Sequence, residues 1–173
     1  MTFLGIDPGK TGGIASVDED GTPLKWLAMP ITPAEVLLEL QSYSTGPICA
    51  VLEYASASPQ MGTVSAFTYG RGYGMLEMAL LAANIPYQTK RAQSWQGALG
   101  CLSGGDKNVT KRMAQQLFPA IADRITHATA DALLMAEYAR RLGPIGHPLL
   151  PVPEPPRLPL RKERGTHGKE TPF

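Results

Sequence analysis

The sequence predicts an α/β fold: a mixed five-stranded sheet with helices on both faces, followed by an extended, Pro-rich C-terminal tail. Three observations predict it. Three strand-like segments joined by short links open the chain. From residue 48 onward, strand-like and helix-like segments alternate, as parallel strands with helical crossovers require. Half of the 16 prolines fall within residues 144–173, a density that forbids helix and central strand. The reading is therefore one folded domain over residues 1–143 and a flexible tail over 144–173.

Taken in order, Phe3–Asp7 is a short apolar run ending in an acid. Gly13–Asp18 and Leu24–Met29 read as strands joined by the turn-rich Glu19-Asp-Gly-Thr-Pro23, giving an antiparallel meander. Thr32-Pro-Ala-Glu35 starts a helix, with Thr32 as N-cap, Pro33 in the first turn and Glu35 closing a capping box. Val36, Leu37, Leu40 and Tyr43 give it an apolar face. Ile48–Glu53 is a buried-type strand that again ends in an acid. A long helix is expected from about Thr63 to Ala83, with Phe67, Met78 and Leu81 periodic and Gly70, Gly72 and Gly74 inside it. Each interior glycine costs ~1 kcal/mol against alanine, so either something approaches closely there or the helix kinks. Pro86–Thr89 is a short strand and Ala92–Leu99 a short helix. Val109, Met113 and Leu117 mark a further helix stopped by Pro119. The last runs from about Ala128, with Leu134, Met135, Tyr138 and Leu142 facing inward.

Composition excludes several classes. Apolar residues at 43% and charged residues at 18% fit a globular chain of 173 residues with one core. No apolar run approaches the ~18 residues of a membrane span, and the N-terminus lacks a secretory pattern. Two cysteines, Cys49 and Cys101, have no metal-ligand spacing, so a reducing, cytoplasmic setting is expected. The net charge of +1 divides unevenly: residues 1–143 hold 11 Lys/Arg against 12 Asp/Glu, the tail 5 against 3. Nucleic-acid affinity must then come from local clusters, and Lys90, Arg91, Lys107, Lys111 and Arg112 form one against Asp106 alone.

The chemistry rests on acids. Asp7 and Glu53 each end an apolar strand, and adjacent parallel strands bring such ends to one sheet edge. Two acids there are expensive unless solvated or neutralised by a metal. His127 and Asp131 are four apart, on one helix face about a turn (~6 Å) from each other, and that face continues into Met135 and Tyr138. Asp7, Glu53, Asp131 and His127 are thus a donor set for hard divalent cations, with the imidazole tilting the site toward Mn²⁺ over Mg²⁺. Two segments mislead. Leu4-Gly-Ile-Asp-Pro-Gly-Lys-Thr11 imitates a P-loop, but Leu4 stands at the first glycine position and the loop enters a strand rather than a helix. The same Asp-plus-hairpin also suggests the phosphate loop of actin-like ATPases, which repeat the fold in far longer chains.

Gly5-Ile-Asp-Pro-Gly9, the acid ending Val51-Leu-Glu53, and a terminal helix opening His127-Ala-Thr-Ala-Asp131-Ala-Leu together resemble the RuvC-type Holliday-junction resolvases, which have the ribonuclease H-like fold. Gly9-Lys-Thr-Gly-Gly-Ile-Ala15, Phe67-Thr-Tyr-Gly-Arg-Gly-Tyr-Gly-Met75, Gln93-Ser-Trp-Gln-Gly-Ala-Leu-Gly100 and Asp131-Ala-Leu-Leu-Met-Ala-Glu-Tyr138 look closer to the small phage-encoded members. The resemblance covers about residues 1–142.

It implies a homodimeric endonuclease that recognises four-way DNA junctions by shape and nicks two strands symmetrically, using two Mg²⁺ or Mn²⁺ ions per site. Asp7, Glu53 and Asp131 match the family's acids, and Lys107 falls where the family has a functional lysine. His127 departs from the acid most members carry there. The catalytic candidates are accordingly Asp7, Glu53, Lys107, His127 and Asp131; all but Lys107 are also metal ligands. Lys10, Arg71, Lys90, Arg91, Lys107, Lys111 and Arg112 are the DNA-binding candidates. For Arg71 and its neighbouring glycines, a dimer seam is the competing expectation. Tyr54 and Met61, after Glu53, are candidates for opening the junction. Two other functions fit the same residues: a branched-DNA binding module with poor cleavage, and a nuclease acting on flaps or RNA–DNA hybrid.

Overall fold

The computed structural model describes residues 1–43, 46–54 and 60–143. The Pro-rich tail, and with it the reading of residues 144–173, lies outside the described residues. Five strands, β1 (Thr2–Asp7), β2 (Gly13–Val17), β3 (Pro23–Ala28), β4 (Ile48–Glu53) and β5 (Tyr87–Lys90), form one sheet in the order β3-β2-β1-β4-β5. The first three pair antiparallel as a meander; β1–β4 and β4–β5 pair parallel. Among the described residues five α-helices accompany them: α1 (Pro33–Gln41), α2 (Thr63–Ala82), α3 (Ala92–Leu99), α4 (Lys107–Leu117) and α5 (His127–Leu142). Pro119 does end α4, but the chain continues as a 3₁₀ turn through Arg124 that the proline pattern does not announce.

Alternation along the strands divides the core into two layers. Phe3, Ala15, Val17, Cys49 and Val51 point to one face, where α3, α4 and α5 cover them. Leu4, Ile6, Ile14, Ala50 and Leu52 point to the other, beneath α1 and α2. Helix α1 is capped as its sequence requires: the Glu35 amide donates to Thr32 Oγ1 at 3.2 Å, and the Thr32 amide donates to Glu35 Oε2 at 2.9 Å. Helix α5 starts one residue before its apolar pattern, at His127, because the Thr126 amide donates to Thr129 Oγ1 at 3.1 Å. Among the described residues no helix is long and apolar enough to cross a membrane.

Three apolar faces differ from their sequence patterns. In α2 the packed residues are Leu76, Ala79 and Leu80, while Phe67 is 72%, Met78 64% and Leu81 51% exposed. The helix is apolar on two sides, so periodicity alone admits either as the buried one. In α5 burial extends almost all round from Thr129 to Ala139, yet Leu142 is exposed where the helix runs past the sheet. Leu117 likewise stands at the surface; α4 buries Thr110 and Ala114 instead.

Candidate active site

Phe3, Gly5 and Asp7 occupy one face of β1, and Cys49, Val51 and Glu53 the same face of β4. Because Ile6 is in register with Leu52, the next residues, Asp7 and Glu53, leave the sheet side by side at its edge. That face is the one α5 covers. A Cβ at Gly5 would lie 2.1 Å from the Ala132 carbonyl oxygen and 2.3 Å from the Ala136 amide nitrogen. A Cβ at Gly13 would lie 2.5 Å from the Ala128 carbonyl oxygen. Two glycines on the strands and alanines 128, 132 and 136, one per helical turn, let α5 lie directly on β1 and β2. The close approach carries Asp131, next to Ala132, to the edge where Asp7 and Glu53 emerge.

The three carboxyls act on one another. Burial, and then the charges of Glu53 and Asp131, push the Asp7 carboxyl up to about 8. Glu53 is raised chiefly by burial, held back by a hydrogen bond from Trp95, and raised further by Asp131. Asp131 is raised by burial and held back by the Thr110 hydroxyl and the charges of Lys107 and His127. Lys107, exposed as the first residue of α4, favours the ionised form of all three. Asp106 caps that helix through a 2.9 Å bond from the Asn108 amide, which sets where Lys107 begins. His127 is exposed as the first residue of α5, a turn before Asp131.

The other basic candidates lie on β5, at the start of α3, on α2 and α4, and in the loop after β1. Lys90 is in register with Glu53, and Arg91 stacks over the Tyr54 ring at 5.2 Å. Lys111 and Arg112 follow Lys107 along α4, the first partly buried and the second exposed. Lys10 is exposed in the loop after Asp7. Arg71 stands exposed on α2, opposite the packed face. Met61 is partly buried just before α2. Around Gly70, Gly72 and Gly74 a Cβ would meet nothing within 4 Å, so no part of the described chain makes the close approach expected there.

Three residues at the site are absent from the sequence-based candidates. Trp95 donates its indole N–H to Glu53 Oε2 at 2.8 Å. Tyr69 lies close enough for Glu53 and Asp7 to join burial in pushing its phenol up to about 12, and its ring lies 3.5 Å from where a Gly9 Cβ would be. Thr110 is buried beside Asp131. The aromatic and hydroxyl types carry no metal-ligand signature, and their proximity depends on how α2, α3 and α4 pack.

The donor chemistry suits a hard divalent cation. Asp131 Oδ1 is buried without a hydrogen-bond partner, a costly state for a carboxylate oxygen unless something positive faces it. Glu53 and Asp131 raise Asp7, and Asp131 raises Glu53, for the same reason. Yet among the described residues no three Asp, Glu, His or Cys side chains are close enough together to hold one ion as they stand. The donor set fits such an ion in kind.

No protein-family model matches the chain, and no curated protein matches it by sequence. Solved structures do. Thermus thermophilus RuvC in complex with a Holliday junction substrate superposes with a TM-score of 0.64 at 20% identity, over 83% of this chain and 97% of that one. A second structure of Thermus thermophilus RuvC gives 0.63 at 22% identity with the same coverage. The chain thus has the RuvC-type, ribonuclease H-like fold, a mixed five-stranded sheet with helices on both faces.

Proposed function

We propose that this protein is a metal-dependent endonuclease that recognises four-way or otherwise branched DNA and nicks symmetric strands as a homodimer. The observation that carries the reading is the meeting of Asp7, Glu53 and Asp131 at one sheet edge, each raised by burial, with the Asp131 Oδ1 orphan among them. The likeness to a RuvC bound to a Holliday junction substrate supports DNA of that shape as the ligand, and the motif Phe67–Met75 supports a place among the small phage-encoded members. Such an enzyme works in the cytoplasm of a bacterial or phage-infected cell.

Asp7, Glu53 and Asp131 would hold Mg²⁺ or Mn²⁺, with His127 at the rim as ligand or as base. A pair of such ions, when bound, polarises the scissile phosphate and stabilises the leaving 3′ oxygen. Lys107 holds a positive charge beside the three acids without ligating, so it offsets the phosphate's approach to an acidic edge. Lys10, Lys90, Arg91, Lys111 and Arg112 neutralise flanking phosphates. Arg91 keeps Tyr54 stacked at the mouth of the site, where an aromatic ring can meet an unpaired base.

The dimer reading rests on α2. Val64, Phe67, Arg71, Gly74, Met78 and Leu81 follow alternating steps of three and four, the spacing of a helix–helix seam. That face is opposite the packed one, with Val64 80% exposed. Arg71 then belongs to the seam's rim, and Gly74 lets a second helix approach.

Incubation with four-way junction, flap, RNA–DNA hybrid and linear duplex, in Mg²⁺ and in Mn²⁺, tests the function. Paired symmetric nicks in the junction alone are expected. Preference for flap or hybrid would replace the substrate, and tight junction binding without nicks would leave a binding module. His127 in place of the commoner acid, exposed at the rim, is the feature that favours this second reading.

A further inference from the structure

Trp95 is wholly buried, at 0% exposure, and a buried indole N–H needs an acceptor. It has one across 42 residues of chain: Nε1 donates to Glu53 Oε2 at 2.8 Å, from α3 to the end of β4. The ring belongs to the same packed layer as Val51, Cys101, Ala114 and Leu133, so it cannot follow the carboxylate if that group swings. A donor held this firmly sets the orientation of its acceptor. Its neutrality matters too. A lysine or arginine at this place would pair with Glu53 and cancel the charge a cation needs, whereas an indole fixes the group and leaves the charge in place.

We propose that Trp95 is a positioning residue for the metal site: its indole N–H holds Oε2 of Glu53 and leaves Oε1 as the oxygen open to a divalent cation. The proposal rests on the reading of Glu53 as a ligand, and it assigns a role to a residue that is wholly buried. A ring serving only to fill the core would make the same packing contacts, so the N–H must be tested apart from the ring.

The chain has two tryptophans, Trp26 and Trp95, and so two indole N–H signals in a ¹⁵N–¹H spectrum of the full-length labelled protein. Trp26→Phe assigns them. Glu53→Gln should move the Trp95 signal and leave that of Trp26 in place, and addition of Mg²⁺ to the unaltered protein should move it saturably. Trp95→Phe, which keeps most of the ring, should weaken Mn²⁺ binding about tenfold, read from free Mn²⁺ by electron paramagnetic resonance. The metal concentration for half-maximal nicking should rise by the same factor, while the rate at saturating metal and junction affinity without divalent ions stay near their starting values. A Trp95 signal indifferent to Glu53→Gln, or native Mn²⁺ affinity in Trp95→Phe, would overturn the proposal. If Trp95→Phe does not fold, the Glu53→Gln and Mg²⁺ responses decide, since both keep the indole. A protein that nicks no DNA but shows both responses would sink the nuclease reading and support this one.

Discussion

Asp7 is the residue most at odds with its surroundings. Its carboxyl ordinarily loses a proton near 3.8 and here does so at about 8, because burial and the two neighbouring acids disfavour the charge. The metal-free native state therefore holds a proton that the unfolded chain releases, and stability declines as pH rises from roughly 4 to 8. Thermal melts in chelator should show that decline, and Asp7→Asn should flatten it and raise the melting temperature at pH 8. The same variant should abolish nicking while keeping or tightening junction binding, since it removes a ligand and a charge that repels phosphate. Cleavage near the native rate would end the metal assignment. His127→Asp is the companion experiment: an added carboxylate should raise activity in Mg²⁺ relative to Mn²⁺ if His127 is a ligand. Loss of rate in both metals would make His127 a base instead.

Between elements, the decisive contact is that of α5 with β1. Gly5→Ala would set a methyl carbon against the Ala132 carbonyl and Ala136 amide, atoms of a helix backbone that cannot step aside alone. Overpacking of this kind costs about 3 kcal/mol or more, and moving α5 also moves Asp131. Gly5→Ala should melt well below the parent and, where folded, nick far more slowly; a stable, active variant would contradict the packing described. Helix α2 makes the opposite case, an apolar face that nothing in the described chain covers. Phe67→Glu should leave the fold intact and convert a dimer to a monomer, measured by sedimentation. On α4, Lys107→Ala should lose rate with little loss of affinity. Lys111→Ala should mainly weaken binding and flatten its salt dependence by about one phosphate. Equal, negligible effects would return both to a solvated helix face.

At the scale of the whole molecule, residues 1–143 carry one more acid than base, and under the proposed function an acidic site must receive a polyanion. Attraction would then come from the basic residues of β5, the start of α3, α4 and the β1–β2 loop and from residues 144–173, whose excess is two positive charges. Deleting residues 147–173 should leave melting and junction nicking nearly unchanged while lowering non-specific DNA affinity at low salt, measured by binding to linear duplex. A large fall in melting temperature would mean that the tail is part of the fold.

Strand–turn–strand chemistry, the Thr32–Glu35 cap and the acid ending each of two apolar strands are local facts, and the sequence by itself determined them: the strands and α-helices, the meander and an acid at each of two strand ends. The site's membership is partly local as well. Period-two alternation puts Asp7 beside Gly5 and Glu53 beyond Val51 on one face, and four-residue spacing puts His127 with Asp131. Only the tertiary structure decided which side of α2 is buried, since two apolar stripes on one helix satisfy the same period and the sheet accepts just one. It also decided that Trp95 holds Glu53 and that Tyr69 borders Asp7, because those meetings depend on the rotation and offset of helices packed on the sheet. Sequence spacing carries no information about rotation between separate elements. Close-packed contact, glycine against alanine, sets it.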